Sequence, residues 1–270
     1  MEDYSRKLEL ADLLRQDVIA RAAGDLGISA GDQLLDAGCG TGSHLPLLAG
    51  LADSQGQVTG LDNSPEMISR AARRVAGHGL EDRVTLVEGD IEELPFEAGS
   101  FDCVLSVDCA GYPCSSNPDA LLRELLRVTA PGGTVALLGW TCQQILPGYP
   151  LLESKLNTAS SLVRAAATDR ASRTHFLRAL EWFSRAGLGD LRARSYAGSI
   201  QAPLTDMKKE AVLSLIDMLW GDSGPPLSAD ERKFFDEITR PGSGKCILDS
   251  EGYYGFFVYT AFSGRAFGAL

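Results

Sequence analysis

Positive charge is scarce in this sequence. Against 36 Asp and Glu it sets 25 Lys and Arg, a formal net charge of −11. Nucleic-acid binding rewards clustered Lys and Arg that displace counterions from phosphates, so no nucleic-acid partner is expected. Long apolar runs are missing, and so is any basic amphipathic stretch, which removes the usual signals of a membrane span or anchor. The opening Met1-Glu2-Asp3 does not read as a secretory leader, so the expected location is cytoplasmic. Six cysteines occur, none in C-x-x-C spacing. That argues for reduced thiols rather than a disulfide framework or a structural zinc, and no metal is assigned. What is plentiful is core material: 44% of the residues are hydrophobic, enough for a large globular domain or a domain with a sizeable cap.

The most informative stretch is Leu34-Leu35-Asp36-Ala37-Gly38-Cys39-Gly40-Thr41-Gly42-Ser43-His44. Apolar residues and an acid read as the end of a buried strand. Glycines then alternate at 38, 40 and 42, and Leu45, Leu47, Leu48 and Leu51 begin a helical pattern. A strand, a tight glycine turn and a helix N-terminus bring backbone very close to a ligand. An ordinary strand-to-helix turn needs only one glycine. The spacing is G-x-G-x-G, not the G-x-G-x-x-G of dinucleotide folds: Ser43 or Leu45 stands where the third glycine would be. A nicotinamide oxidoreductase is therefore disfavoured.

Along the chain, Leu10, Leu13, Leu14, Val18, Ala22 and Leu26 recur at helical spacing and predict one long helix ending before Gly27. Strands are expected at 33–37, 57–62, 83–88, 101–107 and 134–139. Ser64-Pro65 and Asn117-Pro118 open helices, and Pro131-Gly132-Gly133 is read as a turn. Alternating strands and helices imply a doubly wound, mostly parallel sheet. After Trp140 the rhythm changes. Helices are expected at 154–167 and 174–186, a strand at 191–200, mostly helix over 203–240 with a break at Gly221–Pro226, and a last strand at 253–259.

Taken in order, Leu34–His44, Val58–Asp62, Gly89–Phe96, Phe101–Val107 and Leu121–Gly133 resemble the class I S-adenosyl-L-methionine (SAM)-dependent methyltransferases. Gly89-Asp90-Ile91-Glu92-Glu93-Leu94-Pro95-Phe96 and Leu122–Gly133 look like the branch containing the ubiquinone/menaquinone biosynthesis C-methyltransferases and many natural-product methyltransferases. The resemblance covers roughly residues 30–140. It implies an α/β, Rossmann-like, doubly wound sheet of seven strands, mostly parallel with an antiparallel last strand, plus a helical cap or lid. It implies SAM as cofactor, S-adenosyl-L-homocysteine as product, and an organic small-molecule acceptor methylated at oxygen or carbon.

Residue by residue, the resemblance places Gly38, Gly40 and Gly42 against the methionine part of the cofactor and Asp36 at its ammonium. Asp62 would accept the ribose hydroxyls; the plainer alternative is an Asx turn before Ser64-Pro65. Asn63 and Met67 would lie near the adenosine. Asp90 would accept the adenine amine, with the Ile91 backbone at the ring edge, or else simply cap a short helix. Ser106, at the end of the fourth strand, joins the cofactor set. For proton removal the candidates are His44, Asp108 and Tyr112; exposure on a helix surface for His44 and a solvated loop for Asp108 are the alternatives. Cys109, Cys114 and Cys142 all follow strand ends, the arrangement that arsenite methyltransferases use to hold a metalloid through thiolates, but the spacing departs from theirs. Cys39 and Cys103 read as small core residues. A SAM-binding partner protein without catalysis is a rival from another class.

Three parts are expected: a helical cap at 1–29, a cofactor-binding core at 30–200 and 252–264, and a helical insertion at 201–251. The insertion is either a satellite core covering the sheet or a lid over an apolar or aromatic acceptor, with Tyr112, Trp140 and Tyr149 lining the pocket.

Overall fold

The alternating pattern resolves into strands β1 (Gln33–Ala37), β2 (Gln57–Asp62), β3 (Val84–Glu88), β4 (Phe101–Val107), β5 (Thr129–Gln144), β6 (Gly189–Gln201) and β7 (Tyr254–Arg265). The structure is a computed structural model and describes residues 2–110, 117–159, 174–221 and 227–267. Tyr112, Cys114 and most of the Gly221–Pro226 break lie outside the described residues. One sheet runs β3-β2-β1-β4-β5-β7-β6. The β1–β2, β1–β4, β2–β3 and β4–β5 pairs are parallel. β7 runs antiparallel to both neighbours: Gly132 N–H donates to Ala266 O while Ala266 N–H donates to Gly133 O on one side, and Ala202 N–H donates to Tyr253 O on the other. This is the seven-stranded, doubly wound sheet that the resemblance implies.

The order reverses between β1 and β4, and in open α/β sheets ligands sit outside the carboxyl ends of the strands at such a switch point. The register puts Asp36 opposite Gly60 and Leu105, and Asp62 opposite Glu88. The two acids thus stand at or near the carboxyl ends of adjacent strands.

Two compact units divide the chain. One comprises Gln16–Thr141, Arg173–Tyr196 and Tyr259–Leu270; the other Met1–Arg15, Cys142–Ser172 and Ala197–Val258. In the first, α3 (Pro65–Gly77) buries Met67, Ala71 and Val75, one residue per turn, and Ser64 caps it by accepting the Met67 N–H. α4 (Pro118–Val128) starts at Asn117, whose side chain accepts the Ala120 N–H, and buries Leu121, Leu122, Leu125 and Val128. Each of the Met, Leu and Val side chains among them contributes about 1.5–3 kcal/mol on burial. Trp182 and Phe183 of α6 (Ala179–Ala186) join the same core.

In the second unit, α5 (Pro150–Ala159) places Glu153 so that its two carboxylate oxygens accept the Ile145 and Leu146 N–H groups. Burial pushes the Glu153 carboxyl up from its ordinary value despite those two bonds. Asn157 Oδ1 accepts from Gln143 and from the indole of Trp220, tying α5 to α7 (Asp206–Trp220). α8 (Ala229–Thr239) opens on a capping box of Ser228 and Glu231.

Local readings differ from the structure at several places: the last strand, read to 259, runs on to Arg265, and the helix read at 154–167 starts at Pro150, its part beyond 159 lying outside the described residues. Pro131-Gly132-Gly133 is not a turn ahead of a strand; it lies inside β5. Gly132 takes φ +83° there, and the β4–β5 register shifts between Phe101 and Cys103, so the glycines absorb an irregularity in a continuous strand. A Cβ on Gly133 would come within 2.7 Å of the Asp102 carbonyl oxygen. The segment 174–186 is a 3-10 turn, Phe176–Arg178, with the His175 side chain accepting from Leu177 N–H, and only then α6. The long first helix, α1, extends from Glu2 to Gly24 rather than from Leu8.

Candidate functional site

The loop between β1 and α2 (Leu45–Leu51) uses each glycine for a different reason. All three have positive φ: +83° at Gly38, +53° at Gly40 and +74° at Gly42. A Cβ on Gly38 would lie 2.4 Å from Cys109 Sγ, and one on Gly42 would lie 2.9 Å from the Ala71 Cβ of α3. A Cβ on Gly40 would meet nothing within 4 Å. Gly38 and Gly42 are therefore glycine because protein presses on them. Gly40 is the one that faces open space, where a ligand can touch bare backbone.

The loop is held from several sides. Leu61 O accepts both the Gly38 and the Cys39 N–H at 2.8 Å. Asp62 Oδ2 accepts the Gly40 N–H at 2.9 Å, and its Oδ1 accepts the Ser64 N–H at 2.9 Å. The Asx turn read as the plain alternative is thus present, and the same carboxylate also braces the glycine loop; each oxygen keeps acceptor capacity for a further donor. Arg74 of α3 donates from Nε to Thr41 O at 3.1 Å, a brace with no signal in the loop sequence itself. Asn63 is exposed beside Asp62, and Met67 is buried in the first turn of α3.

Asp36 is 0% exposed, and Oδ2 stands 3.9 Å from Nδ1 of His44, itself 8% exposed. His44 precedes α2 and makes no side-chain capping bond. It does not sit on an exposed helix surface; it and Asp36 form a buried acid–imidazole pair. Ser106 is fully buried, and its hydroxyl donates to Ala37 O at 2.8 Å, which ties the end of β4 to the end of β1 just before Gly38.

Asp90 is exposed past β3 and accepts the Glu92 N–H at 2.8 Å; Ile91 beside it is half-buried. The 90–97 segment is fixed by two residues that sequence reasoning missed. Arg127 pairs bidentately with Glu124 and donates to Phe96 O at 2.7 Å and Leu94 O at 2.8 Å, while Glu124 accepts the Leu94 N–H at 3.0 Å. The signal in the sequence is the Glu124-x-x-Arg127 spacing on one helix face. The Arg127 guanidinium holds the Glu124 carboxyl below the usual range.

Asp108 takes φ +56°, uncommon for a residue with a Cβ. Oδ1 accepts the Trp140 N–H at 3.0 Å, and Oδ2 accepts the Tyr259 hydroxyl at 2.7 Å. It is not a solvated loop acid. Tyr112 lies outside the described residues. Trp140 packs edge to face on Tyr259, centroids 5.5 Å apart. Tyr149 belongs to the second unit, where it lines a cleft of about 460 Å³ with Lys245, Cys246, Asp249 and Tyr253.

Cys39 and Cys103 are buried as expected. Burial, with Asp36 and Asp62 nearby, pushes the Cys39 thiol far up, and burial pushes Cys103 to about 12. Cys109 is half-buried in the first unit, exposed Cys142 belongs to the second, and Cys114 is outside the described residues. Among the described residues, no three His, Cys, Asp or Glu gather as a metal-binding group.

Residues 34–133, the stretch containing this loop and its braces, match the family model for the methyltransferase domain. The resemblance to class I SAM-dependent methyltransferases, with their quinone C-methyltransferase branch, holds over that stretch. The chain is 40% identical over 131 residues to demethylmenaquinone methyltransferase of Staphylococcus aureus (strain MRSA252), covering 48% of this chain and 51% of the relative. The chain thus spans about half the length of the curated relatives it matches. Among solved structures, phosphoethanolamine N-methyltransferase 2 of Haemonchus contortus, in complex with SAM, superposes with TM-score 0.55 at 20% identity over 94% of this chain and 53% of that one. A SAM-dependent methyltransferase from Aquifex aeolicus gives TM-score 0.52 at 21% identity over 70% and 89%. At such identities the likeness is one of fold. No helix among the described residues is long and apolar enough to cross a membrane.

Proposed function

We propose that the protein is a SAM-dependent methyltransferase acting on an organic small molecule at oxygen or carbon. The observation that carries the reading is Gly40: a loop glycine with open space where its Cβ would stand, its N–H held by the carboxylate at the end of β2. The residues fit the cofactor. Bare backbone at Gly40 receives the methionine part, Asp62 has lone pairs left for ribose hydroxyls, and the braced Asp90–Phe96 segment flanks the adenine. Asp36 and Ser106, both fully buried, would act on the cofactor by backing the loop from the ends of β1 and β4. The family match over 34–133 supports the same assignment.

When bound, the cofactor supplies a sulfonium methyl already activated towards displacement. The chain's part is alignment, which can contribute about 7–11 kcal/mol to lowering a bimolecular barrier, and reception of any proton the acceptor sheds. His44, paired with Asp36, is the candidate to receive it. The excess of acidic residues favours a small neutral or cationic acceptor over nucleic acid. The relatives named for demethylmenaquinone favour an apolar or aromatic acceptor, and we assign its selection to the 201–251 insertion. The test is methyl-labelled SAM incubated with a panel of quinols, phenols and carbon acids. Label appearing in one acceptor class supports the reading; cofactor retention without transfer to any of them favours a non-catalytic SAM-binding protein.

A further inference from the structure

Three strands meet at Asp108. Its N–H donates to Leu138 O at 2.8 Å, its carboxylate accepts the Trp140 N–H from β5, and it accepts the Tyr259 hydroxyl from β7. Tyr259 is 1% exposed, so its hydroxyl makes this contact shielded from solvent. A left-handed φ on a residue with a Cβ persists where surrounding groups over-determine it, and here three hydrogen bonds do so. The next residue is Cys109. Its Sγ lies 3.2 Å from Val107 O and 3.5 Å from Gly38 O, and it fills the space that any Cβ on Gly38 would occupy. The glycine loop is therefore held on its β2 side by Leu61 O and Asp62, and on its β4 side by a thiol whose position is set one residue earlier.

We propose that Asp108 is a positioning residue for the cofactor loop rather than a base, and that Tyr259 acts through it: the Tyr259–Asp108 hydrogen bond holds the exit of β4 in the turn that seats Cys109 against Gly38. The proposal deepens the methyltransferase reading and rests on it. Both oxygens of the Asp108 carboxylate are engaged by donors of the fold, a tyrosine hydroxyl at 2.7 Å and a backbone N–H at 3.0 Å, and these fix its orientation. Its influence on the ligand passes through Cys109 to Gly38, two residues from the open face of Gly40.

The experiment measures S-adenosyl-L-homocysteine affinity by calorimetry on the full chain, at a temperature where every variant is folded. Tyr259→Phe removes one oxygen and Asp108→Asn one acceptor; each is expected to weaken binding roughly tenfold, within the range of coupled neighbours. The double variant is expected to be no weaker than either single one, because both break the same link. In a Cys109→Ala background, Tyr259→Phe is expected to cost nothing further. Asp108→Gly, which adopts the left-handed turn without strain, replaces Asp108→Asn if that variant does not fold. Lower thermal stability with unchanged affinity overturns the proposal, as do additive losses or a Tyr259→Phe effect that survives in the Cys109→Ala background. If the parent protein does not bind the ligand, the methyltransferase reading fails and takes this proposal with it; binding by the parent with indifferent variants defeats this proposal alone.

Discussion

Replacing Asp62 by Ala removes more than a ribose contact. In the unliganded protein its two oxygens accept the Gly40 and Ser64 N–H groups, both at 2.9 Å. Hydrogen bonds to a charged acceptor contribute about 1.5–3 kcal/mol each where both partners are shielded. Asp62 is half-exposed, so about 1–2 kcal/mol of folding stability is the reasonable loss for the pair once solvent screening is allowed for. For a chain of this size that is a fall in Tm of about 2–8 °C. Cofactor binding should suffer separately. Losing a charge-assisted ribose bond costs about 1.5–3 kcal/mol, or roughly 10- to 150-fold in Kd for S-adenosyl-L-homocysteine, and slackening of Gly40 adds to it. Asp62→Asn is a second probe of the same carboxylate. It keeps one carbonyl acceptor but turns an amide NH₂ towards one of the two backbone donors, so it should lie nearer to Ala than to the parent. Calorimetry and thermal denaturation on the same samples measure both quantities. An Asp62→Ala variant with parental affinity would place the ribose elsewhere and refute the assignment of this carboxylate.

Three further outcomes are expected. Gly40→Ala should abolish S-adenosyl-L-homocysteine binding with only the modest stability cost of a left-handed alanine, about 1–2 kcal/mol, whereas Gly42→Ala should chiefly lower Tm, because its Cβ meets Ala71 at 2.9 Å; equal effects of the two on affinity would contradict the division of labour. Glu124 has a folded-state carboxyl held below its ordinary value by Arg127, so its contribution is complete above the ordinary carboxylate pKa and lost as pH falls through the lowered one; in Tm-against-pH scans, Glu124→Gln should be less stable than the parent at neutral pH and converge with it in acid, and parallel curves would show that the pair does not matter. Replacing residues 205–245 by a short Gly-Ser turn should leave S-adenosyl-L-homocysteine binding intact and stop methyl transfer, read with labelled cofactor once an acceptor is in hand; parental transfer rates would reduce the insertion to cover.

Much of the first unit was readable because its signals are local. Serine and asparagine caps followed by proline at Ser64 and Asn117, one buried residue per turn on α3, and the nearly all-apolar β4 each depend on a few neighbouring residues. The glycine loop was legible as a ligand site, but not the distinct reasons for its glycines. Those depend on Cys109 and Ala71, which are distant in sequence and adjacent in space. Similarly, nothing local marks Tyr259 as the partner of Asp108, 151 positions away, or Arg74 as a brace for Thr41. The Pro131-Gly132-Gly133 segment misled because turn chemistry and a strand irregularity ask for the same residues; only pairing with Ala266 separates them. His44 was equivocal for a related reason: burial beside Asp36 is a property of the packed loop, not of the sequence around it.

The central claim is that the open face of Gly40, backed by Asp62, is a SAM site. The most direct measurement is a calorimetric titration of the parent protein with SAM, S-adenosyl-L-homocysteine and NAD in parallel. The account predicts one-to-one binding of the first two in the micromolar range and none of NAD. Binding of NAD, or of none of the three, would contradict it.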